Sequence, residues 1–557
     1  MTQAVNASGN TRRTLRRVAA AGLAGVAAYD LLQRRHAILR NFPVVGHLRY
    51  LLEMVGPELR QYIVTSNDEE RPFSRDQRRW IYASAKSQTN TFAFGSDNEM
   101  EAVGAMLAIK HAPFPVAPPD DHSPGGFPDY ALPAGKVLGE ARGRRHTFRP
   151  RSLVNVSGMS FGALSGPAVQ ALNEGCRIAG CVQGTGEGGL SPYHRHGGEL
   201  VFQIGTGYFG CRDARGRFSL EHLLETIEGA PVRAIEIKLS QGAKPGLGGL
   251  LPAAKVTPEI AAIRGVEPGR DCVSPPGHSA FRDADELLDF VERVAEATGL
   301  PVGIKSAVGA SEFWEELAGL MESGARGVDY VLVDGGEGGT GAGPLAYTDH
   351  VALPFKLGFA RVYAAFARAG ITERVMFAGS GKLGFPEAAL WALALGADMV
   401  SVGREAMMAV GCIQAQRCHT GRCPTGVATQ NPWLTRGLDP ELKAVRHATY
   451  VRALRGELLA LARTCGVVHP ALVDPGQLEI VTEGFRSAPL HEVFGYEPGW
   501  AVPTPERRAQ IEALMSARRE WRLPGPELGP LPGDGTGGDR HVPPGTPTHA
   551  TRLPPVS

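Results

Sequence analysis

VGIKSAVGASEFWEELAGLMESGARGVDYVLVDGGEGGTG, residues 302–341, is the stretch that decides the fold. Two short apolar runs, VGIKSA (302–307) and YVLVDG (330–335), flank SEFWEELAGLMESG, in which apolar residues recur at helical spacing. A strand, a helix and a second strand predict two parallel strands joined by a helical crossover. The stretch ends in glycines, at the strand end where barrels place their ligands.

The same alternation continues on both sides of this stretch. Further buried-strand candidates are VNVSGM (154–159), CVQGTG (181–186), LVFQIG (200–205), AIEIKL (234–239), RVMFAG (374–379) and MVSVGR (399–404). Helical segments lie between most of them, although only GGLSPYHRHGG joins the second strand to the third. Eight such units predict an α/β fold, a (β/α)8 TIM barrel; a doubly wound parallel sheet is the alternative.

Composition divides the rest of the chain. We expect a basic and apolar N-terminal segment (1–35), a helical N-terminal extension (36–95), the barrel with a cysteine segment (96–495), a C-terminal helix (496–522) and a Pro/Gly-rich disordered tail (523–557).

The formal net charge of +1 and the lack of a basic stripe predict no nucleic-acid partner. Eight cysteines in 557 residues are too few for a disulfide scaffold, which favours a reducing, cytoplasmic location.

The N-terminal segment allows three interpretations. Arg12, Arg13, Arg16 and Arg17 precede an apolar run, residues 18–29, that is shorter than the roughly 20 residues needed to span a bilayer. Residues 12–32 are an interfacial anchor that gives weak membrane association, a plain amphipathic arm, or a twin-arginine export signal.

Three cysteines carry the clearest chemical signal. Cys412, Cys418 and Cys423 have C-x5-C-x4-C spacing in GCIQAQRCHTGRCPTGVATQ (411–430). Three thiolates without a nearby fourth favour an iron–sulfur cluster with three irons. The alternatives are a zinc site with His419 as fourth ligand, and three unligated buried thiols.

Glycine loops follow the last three predicted strands. They are Gly335–Gly341 after strand six, Gly379-Ser380-Gly381-Lys382 after strand seven, and Gly403-Arg404 after strand eight. Glycines let backbone N–H groups face an anion, and the last loops of a barrel frequently bind phosphate. Because Leu383 follows Lys382, the second loop is not a nucleoside-triphosphate loop.

Ordered motifs over roughly residues 95–495 resemble those of the glutamate synthase family, closest to its free-standing flavin-domain members. The cysteine segment resembles the family's cluster-binding stretch. Six further motifs of this chain resemble the flavin and substrate segments of the family, in the same order: SGMSFGALS, TGEGG, IEIKLSQGAKPGLGG, KVTPEIAAIR, SPPGH and GGTGAGPL. The resemblance implies flavin mononucleotide (FMN) and a 3Fe-4S cluster as cofactors.

The resemblance also implies where the flavin lies. Met159 and Ser160 would lie against it, and a lysine in an apolar strand, Lys238 or Lys305, would supply the cation that a reduced flavin ring needs. The loop residues expected to bind the cofactor are Gly338, Gly339, Thr340, Gly379, Gly381, Gly403 and Arg404.

For the substrate, the resemblance implies reductive amination of 2-oxoglutarate through 2-iminoglutarate, with hydride from the reduced flavin. Gln241, Lys244 and Arg264 would bind the 2-oxo acid, because a guanidinium suits a carboxylate. Glu187 and Lys238 would be catalytic, with Glu187 handling protons or ammonia.

The chain departs from the family at three positions. Where complete glutamate synthases read GEGGQLP, it has Leu247 and Leu250 in place of the carboxylate and the amide, and Glu337 replaces an Asp. Losing a polar contact weakens discrimination, so a different 2-oxo acid or imine is an alternative substrate. A third hypothesis is an electron-transfer or redox-sensing subunit without turnover, against which the retained Glu187, Lys244 and Arg264 argue.

Partners follow from what the sequence lacks. No cysteine follows Met1 as the glutaminase nucleophile would, so we expect ammonia from solution or from a separate glutaminase. No G-x-G-x-x-G fingerprint follows a strand near either end. We therefore expect electrons from a ferredoxin or an NAD(P)H reductase subunit.

Overall fold

Eight parallel strands close into a barrel in the computed structural model, which describes residues 2–33, 37–59, 64, 70–96, 106–117, 131–482 and 486–517. In chain order the described strands are β1 (Met106–Ile109), β2 (Val154–Val156), β3 (Gln183–Gly184), β4 (Leu200–Ile204), β5 (Val232–Lys238), β6 (Leu250–Leu251), β7 (Cys272–Val273), β8 (Val302–Ser306), β9 (Tyr330–Asp334), β10 (Met376–Ser380), β11 (Met399–Val402), β12 (Leu478–Thr482) and β13 (Arg486–Pro489).

The helices surround the barrel and extend the chain at both ends. They are α1 (Thr2–Leu32), α2 (Ala37–Asn41), α3 (Gly46–Leu59), α4 (Arg75–Ala85), α5 (Gly166–Ala179), α6 (Leu220–Ile227), α7 (Pro258–Arg264), α8 (Ala284–Thr298), α9 (Glu312–Met321), α10 (Leu345–His350), α11 (Phe355–Arg368), α12 (Pro386–Ala394), α13 (Arg404–Ala409), α14 (Pro432–Thr435), α15 (Pro440–Thr464), α16 (Leu490–Val493) and α17 (Pro505–Ser516).

The barrel confirms the predicted fold class. Its strand order is β2-β3-β4-β5-β8-β9-β10-β11, and β11 pairs with β2 to close the ring. All eight predicted strands are present, and because the sheet is closed, the doubly wound alternative is wrong. Helices follow most of the barrel strands and cover the outside of the sheet, which explains the continuous burial of strands such as β8 and β9.

Local sequence signals set the ends of the crossover helices. Asp283 caps α8 by accepting a hydrogen bond at 2.8 Å from the Glu286 amide. Gly299 ends that helix with φ of 72°, a conformation that a side chain disfavours. Between β3 and β4 the chain makes only a 3₁₀ turn, Pro192–His194, as the short GGLSPYHRHGG segment predicts.

Elements outside the alternation complete the unit. The 25-residue helix α15 packs along α5 and against α4, and a small antiparallel sheet joins β1, β12 and β13. The predicted C-terminal helix corresponds to α17, whereas the predicted disordered tail, 523–557, lies outside the described residues.

The N-terminal helix α1 presents apolar side chains to solvent. Leu15, Val18 and Leu32 are all exposed, while the buried Asp30 accepts a hydrogen bond at 2.8 Å from the Val44 amide and contacts His47. Within the described residues, no helix has both the length and the apolar character to cross a bilayer.

Candidate active site

A cavity of about 1080 Å³ opens at the carboxyl ends of the barrel strands. This is the edge at which barrel enzymes assemble their active sites. The predicted site residues that line it are Met159, Ser160, Glu187, Lys238, Gln241, Lys244, Arg264, Lys305, Gly338, Gly339, Thr340, Gly381, Gly403, Arg404, Cys412, Cys418 and Cys423.

Lys238, at the end of β5, organises one half of the cavity. Its ammonium donates to Glu187 Oε1 at 2.9 Å and to Gln241 Oε1 at 2.8 Å. Gln241 in turn donates through Nε2 to Thr340 Oγ1 at 3.3 Å. Three predicted residues therefore form one hydrogen-bonded chain that reaches the loop after β9.

Behind Lys238, a neutral histidine supports the strand end. Burial lowers the pKa of His278 to about 4, so its ring is uncharged at neutral pH. Its Nε2 lies 2.9 Å from the Lys238 carbonyl and therefore donates to it. Its Nδ1 then accepts from the hydroxyl of Tyr208 at 3.2 Å. His278 belongs to SPPGH, but no sequence signal distinguishes it from the other histidines.

Two buried cations face the same half of the cavity without an acidic partner. Lys244 is 6% exposed, and its ammonium has no hydrogen bond or ion pair within the described part of the chain. Arg264, the last residue of α7, is 5% exposed and donates to Ser160 Oγ at 3.3 Å, to the Phe161 carbonyl at 3.1 Å and to Cys272 Sγ at 3.7 Å, none of which is a carboxylate. Buried cations left unpaired in this way favour an anionic ligand.

Glu187 is the one carboxylate among these cations. Burial opposes its ionisation, but the charge of Lys238, helped by those of Arg264 and Lys244, holds the pKa of Glu187 below its usual value. Burial lowers the pKa of Lys244, and Glu187 works against that shift. At neutral pH this half of the cavity therefore carries a net positive charge.

The two leucines that replace polar family residues have different positions. Leu250 lies in β6, pairs with Val273 of β7 and lines the cavity, half exposed. Leu247 does not line it. Only the loss at Leu250, where the family has an amide, alters the wall of the cavity.

The opposite half of the cavity has the chemistry of a phosphate site. Gly381 and Gly403 line it, and a side chain added at Gly403 would meet only the Ser157 Cβ, at 4.0 Å. Lys382 points there with no hydrogen bond or ion pair to a described residue. Arg404, which is partly buried, also lines it, and desolvation lowers the pKa of both cations. Open backbone beside two cations that have no ion pair with a described carboxylate fits a phosphate.

Gly379 is placed differently from the prediction. It lies within β10, where an added Cβ would be 2.6 Å from Phe355 Cζ and 2.8 Å from Leu383 Cδ1. It does not line the cavity, because its missing side chain makes room for the Phe355 ring. The carboxylate of Glu337 likewise accepts from the Phe355 amide, at 2.8 Å, and so caps the start of α11.

Lys305 occupies the floor between the two halves. Its ammonium donates to Ser157 Oγ at 3.2 Å and lies 3.6 Å from Asp334 Oδ2. Asp334 also accepts from the Gly242 amide at 2.9 Å. Any Cβ at Gly242 would lie 1.8 Å from the Gly335 carbonyl oxygen, so only glycine allows this approach.

An N-terminal strap, residues 70–86, forms a wall of the phosphate half that the sequence did not reveal. Arg71 and Phe73 line the cavity, and the Phe73 ring lies 5.0 Å from the Arg404 guanidinium and 5.7 Å from the Lys382 ammonium. The strap is fixed by Gln414, whose amide accepts from Phe73 N at 3.2 Å and donates to Phe73 O at 3.1 Å. Gln414 lies between two of the predicted metal-binding cysteines.

The three cysteines line the cavity but do not converge on one point. No three side chains among Cys412, Cys418, Cys423 and the exposed His419 bring their ligand atoms within 4.8 Å of one another, by a search of the described residues. Ligands of one zinc ion, with bonds of about 2.0–2.3 Å, would be closer than that. These side chains therefore do not form the site of a single zinc ion.

The cysteines also differ in how readily they ionise. Burial raises the pKa of Cys412 to about 12 and raises that of Cys418. Burial opposes ionisation of Cys423 too, but backbone amides of Ala428, Thr425 and Val427 outweigh it and lower its pKa. Amide donors around sulfur are what a ligating thiolate needs.

A closed barrel with a cavity lined by cations at this edge has the architecture of a cofactor-dependent enzyme. The family model described as "Conserved region in glutamate synthase" matches residues 141–468. The chain therefore belongs to the glutamate synthase family, a family of oxidoreductases.

Individual relatives agree. The glutamate synthase large subunit-like protein YerD of Bacillus subtilis is 38% identical over 471 residues, which cover 79% of this chain and 89% of YerD. The archaeal glutamate synthase [NADPH] of Methanocaldococcus jannaschii is 36% identical over 319 residues, or 56% of this chain and 59% of that enzyme. The match thus spans about six tenths of the archaeal enzyme.

Solved structures show a more distant likeness. The recombinant flavin-binding domain of baker's yeast flavocytochrome b2 overlaps with a TM-score of 0.41 at 16% identity, over 72% of this chain and 78% of that one. A TM-score this low supports no further conclusion about this chain.

Proposed function

We propose that this chain is an FMN- and iron–sulfur-dependent oxidoreductase of glutamate synthase type, which reductively aminates 2-oxoglutarate to glutamate through 2-iminoglutarate. The observation that carries the proposal is the pair of buried, acid-free cations, Lys244 and Arg264, beside the Lys238–Glu187 ion pair. A dicarboxylate would neutralise the two cations, and its reacting carbon would lie near groups able to exchange protons.

The phosphate half would hold FMN. The residues that would bind the phosphate are Gly381, Lys382, Gly403 and Arg404. By the family resemblance, the flavin ring would lie near Met159, Ser160, Lys238 and Lys305. Bound FMN supplies the hydride for reduction of the imine carbon.

The protein groups would then do three things. Arg264 has planar N–H donors for a substrate carboxylate, and Lys244 supplies a second charge. Glu187, kept ionised by Lys238, would accept a proton from the nitrogen that adds to the 2-oxo carbon and return it to the hydroxyl that leaves as water when the imine forms. Gln241 fixes Lys238 between Glu187 and the loop after β9.

Cys412, Cys418 and Cys423 would hold a 3Fe-4S cluster in the same cavity. Their separation and the amides around Cys423 support this assignment over a single zinc ion. Electrons would come from a ferredoxin or an NAD(P)H reductase subunit, and ammonia from solution or a separate glutaminase.

A different 2-oxo acid is the second candidate substrate. Leu250 places an apolar side chain on the cavity wall at a position where complete family members have an amide. A substrate with an apolar end would bury surface there, whereas 2-oxoglutarate would leave a polar group unpaired.

The test is anaerobic. The purified chain, with bound flavin and iron assayed after acid extraction, is photoreduced and mixed with 2-oxoglutarate, ammonium or both. We expect rapid flavin reoxidation and glutamate formation only with both. Reoxidation by a 2-oxo acid with an apolar side chain, but not by 2-oxoglutarate, would establish the second candidate. No reoxidation by any 2-oxo acid would overturn the proposed function and favour a redox-sensing subunit.

Weak membrane association through residues 12–32 is part of the same proposal. It is supported by the exposed Leu15, Val18 and Leu32 on α1. Co-sedimentation with anionic vesicles, compared with a chain that begins at residue 37, tests it; equal recovery of both chains would rule it out.

A further inference from the structure

A second group of soft ligands lies outside the cavity, between the barrel and α15. Cys176 is on α5, Cys181 follows that helix, and His447 is on α15. Their ligand atoms all lie within 4.8 Å of one another, and Cys176 Sγ is 3.6 Å from His447 Nε2. None of the three lines the active-site cavity, and the proposed reaction does not use them.

The backbone is shaped to bring these ligands together. Gly175, next to Cys176, has no room for a side chain, because a Cβ would lie 2.7 Å from His447 Cδ2 and 2.7 Å from the Ala444 carbonyl oxygen. The Cys181 amide donates to the Cys176 carbonyl at 3.0 Å, which folds the chain back over the end of α5. All three ligands are buried, with exposures of 0%, 2% and 0%.

A buried guanidinium beside this group requires an anion. Arg455 is 1% exposed, donates through Nη1 to the Ala179 carbonyl at 2.7 Å, and leaves Nη2 without a partner. It makes no ion pair with a carboxylate in the described ranges. Of the side chains whose charges act on it, Arg452 and Arg151 are also cationic, and the Cys181 thiolate is the one that favours its charged form. A buried, uncompensated charge is costly, so the negative charge must come from thiolates.

We propose that Cys176, Cys181 and His447 bind one thiophilic monovalent ion, Cu(I), in a closed three-coordinate site. Two thiolates and one Cu(I) leave a single negative charge, which Arg455 balances. Zn²⁺ would cancel both thiolate charges and leave Arg455 unpaired, and structural zinc takes four ligands, whereas the described residues supply three. Thiolates and imidazole are the ligand types that Cu(I) accepts.

This assignment is independent of the proposed function. The site joins α5 to α15, so an ion there would hold the 25-residue helix α15 against α5 on the outside of the barrel. Binding only to the folded state would raise the unfolding temperature, by a stabilisation that grows with the logarithm of the free-ion concentration relative to the Kd.

The experiment uses the full chain, produced with and without added copper because the site is closed to solvent. Bound copper is measured after anaerobic exchange against a Cu(I) chelator. Wild type is compared with the Cys176→Ser/Cys181→Ser double variant. The matched control is Cys465→Ser, which removes another buried free thiol far from this group. Flavin and iron contents are measured on the same samples, so failure at this site is distinct from failure at the cavity.

We expect wild type and Cys465→Ser to hold one Cu(I) per chain more than the double variant, and only these two to gain unfolding temperature with copper. X-ray absorption on the wild type should give two sulfurs and one nitrogen around copper, a readout that needs no variant to fold. Equal copper in all three chains would overturn the proposal. So would Zn²⁺ in place of copper, or a Cys176–Cys181 disulfide in the protein as isolated.

Discussion

Replacing Gln414 by Ala should weaken FMN binding by releasing the strap, residues 70–86. The Gln414 side chain is buried and makes three hydrogen bonds to the strap, to Phe73 N, Phe73 O and Glu70 Oε1, at 3.1–3.2 Å. Phe73 in turn packs against the two cations of the phosphate half. Truncation leaves the Phe73 amide and carbonyl without partners, so the strap should no longer hold its position.

The size of the effect follows from those two groups. Each buried, unsatisfied backbone group costs about 1–3 kcal/mol, and the lower figure applies because water can enter from the cavity. Two groups give about 2 kcal/mol, or roughly a thirtyfold rise in the Kd for FMN if binding requires the strap in place. Glu70 keeps its ion pair with Arg78, so the loss there is small.

Fluorescence titration of the flavin-free chain with FMN measures the Kd. Gln416→Ala is the matched control, because Gln416 lies in the same loop, has the same left-handed backbone (φ of 54° against 57°), and is exposed. Strain from the substitution is therefore equal in both variants. If Gln414→Ala binds FMN within threefold of the Gln416→Ala value, the strap does not support the cofactor and the reasoning fails.

The other predictions concern the substrate half and the core. Arg264→Lys should lower kcat/KM for the 2-oxo acid at least thirtyfold at unchanged flavin content, because losing a charge-assisted contact costs about 2–4 kcal/mol; unchanged steady-state rates would remove Arg264 from the site. Leu250→Gln should raise 2-oxoglutarate turnover, while Leu247→Gln, off the cavity wall, should not; equal rates in the two variants would exclude Leu250 as the cause. Burial lowers the pKa of His194 to about 3 and those of His278 and His469 to about 4, from 6.5. The unfolded chain then binds more protons between pH 6.5 and 4, so the free energy of unfolding should fall as pH falls through that window, by about 1.4 kcal/mol per pH unit for each histidine; urea unfolding at several pH values measures this, and a flat profile would contradict it.

The barrel could be predicted because its signals are local. Strands β8 and β9 and helix α9 are readable from periodicity alone, and α8 is delimited by Asp283 and Gly299. The rim residues could be grouped because a parallel barrel brings every strand's carboxyl end to one edge. That rule placed Lys238 at the rim, whereas Lys244 and Arg264 were assigned to the same site only by the family resemblance.

What the sequence could not supply depends on distant pairs. Phe73 and Gln414 are 341 positions apart, and no local sequence pattern predicts that the Gln414 side chain hydrogen-bonds to the Phe73 backbone. Gly379 looked like its neighbours in a glycine loop, but only packing reveals that the Phe355 ring fills its space. Periodicity can be read from one segment of sequence, whereas each of these contacts joins two segments that are distant in the sequence.

The loop after β9 joins the two halves of the cavity. Gly339 approaches Arg404 so closely that an added Cβ would lie 2.7 Å from Arg404 Cδ, and the Arg404 guanidinium donates to the Glu337 carbonyl. One residue further on, Thr340 accepts from Gln241, which holds Lys238. A cation at the phosphate half and the ion pair at the substrate half are thus fixed by adjacent residues of one loop.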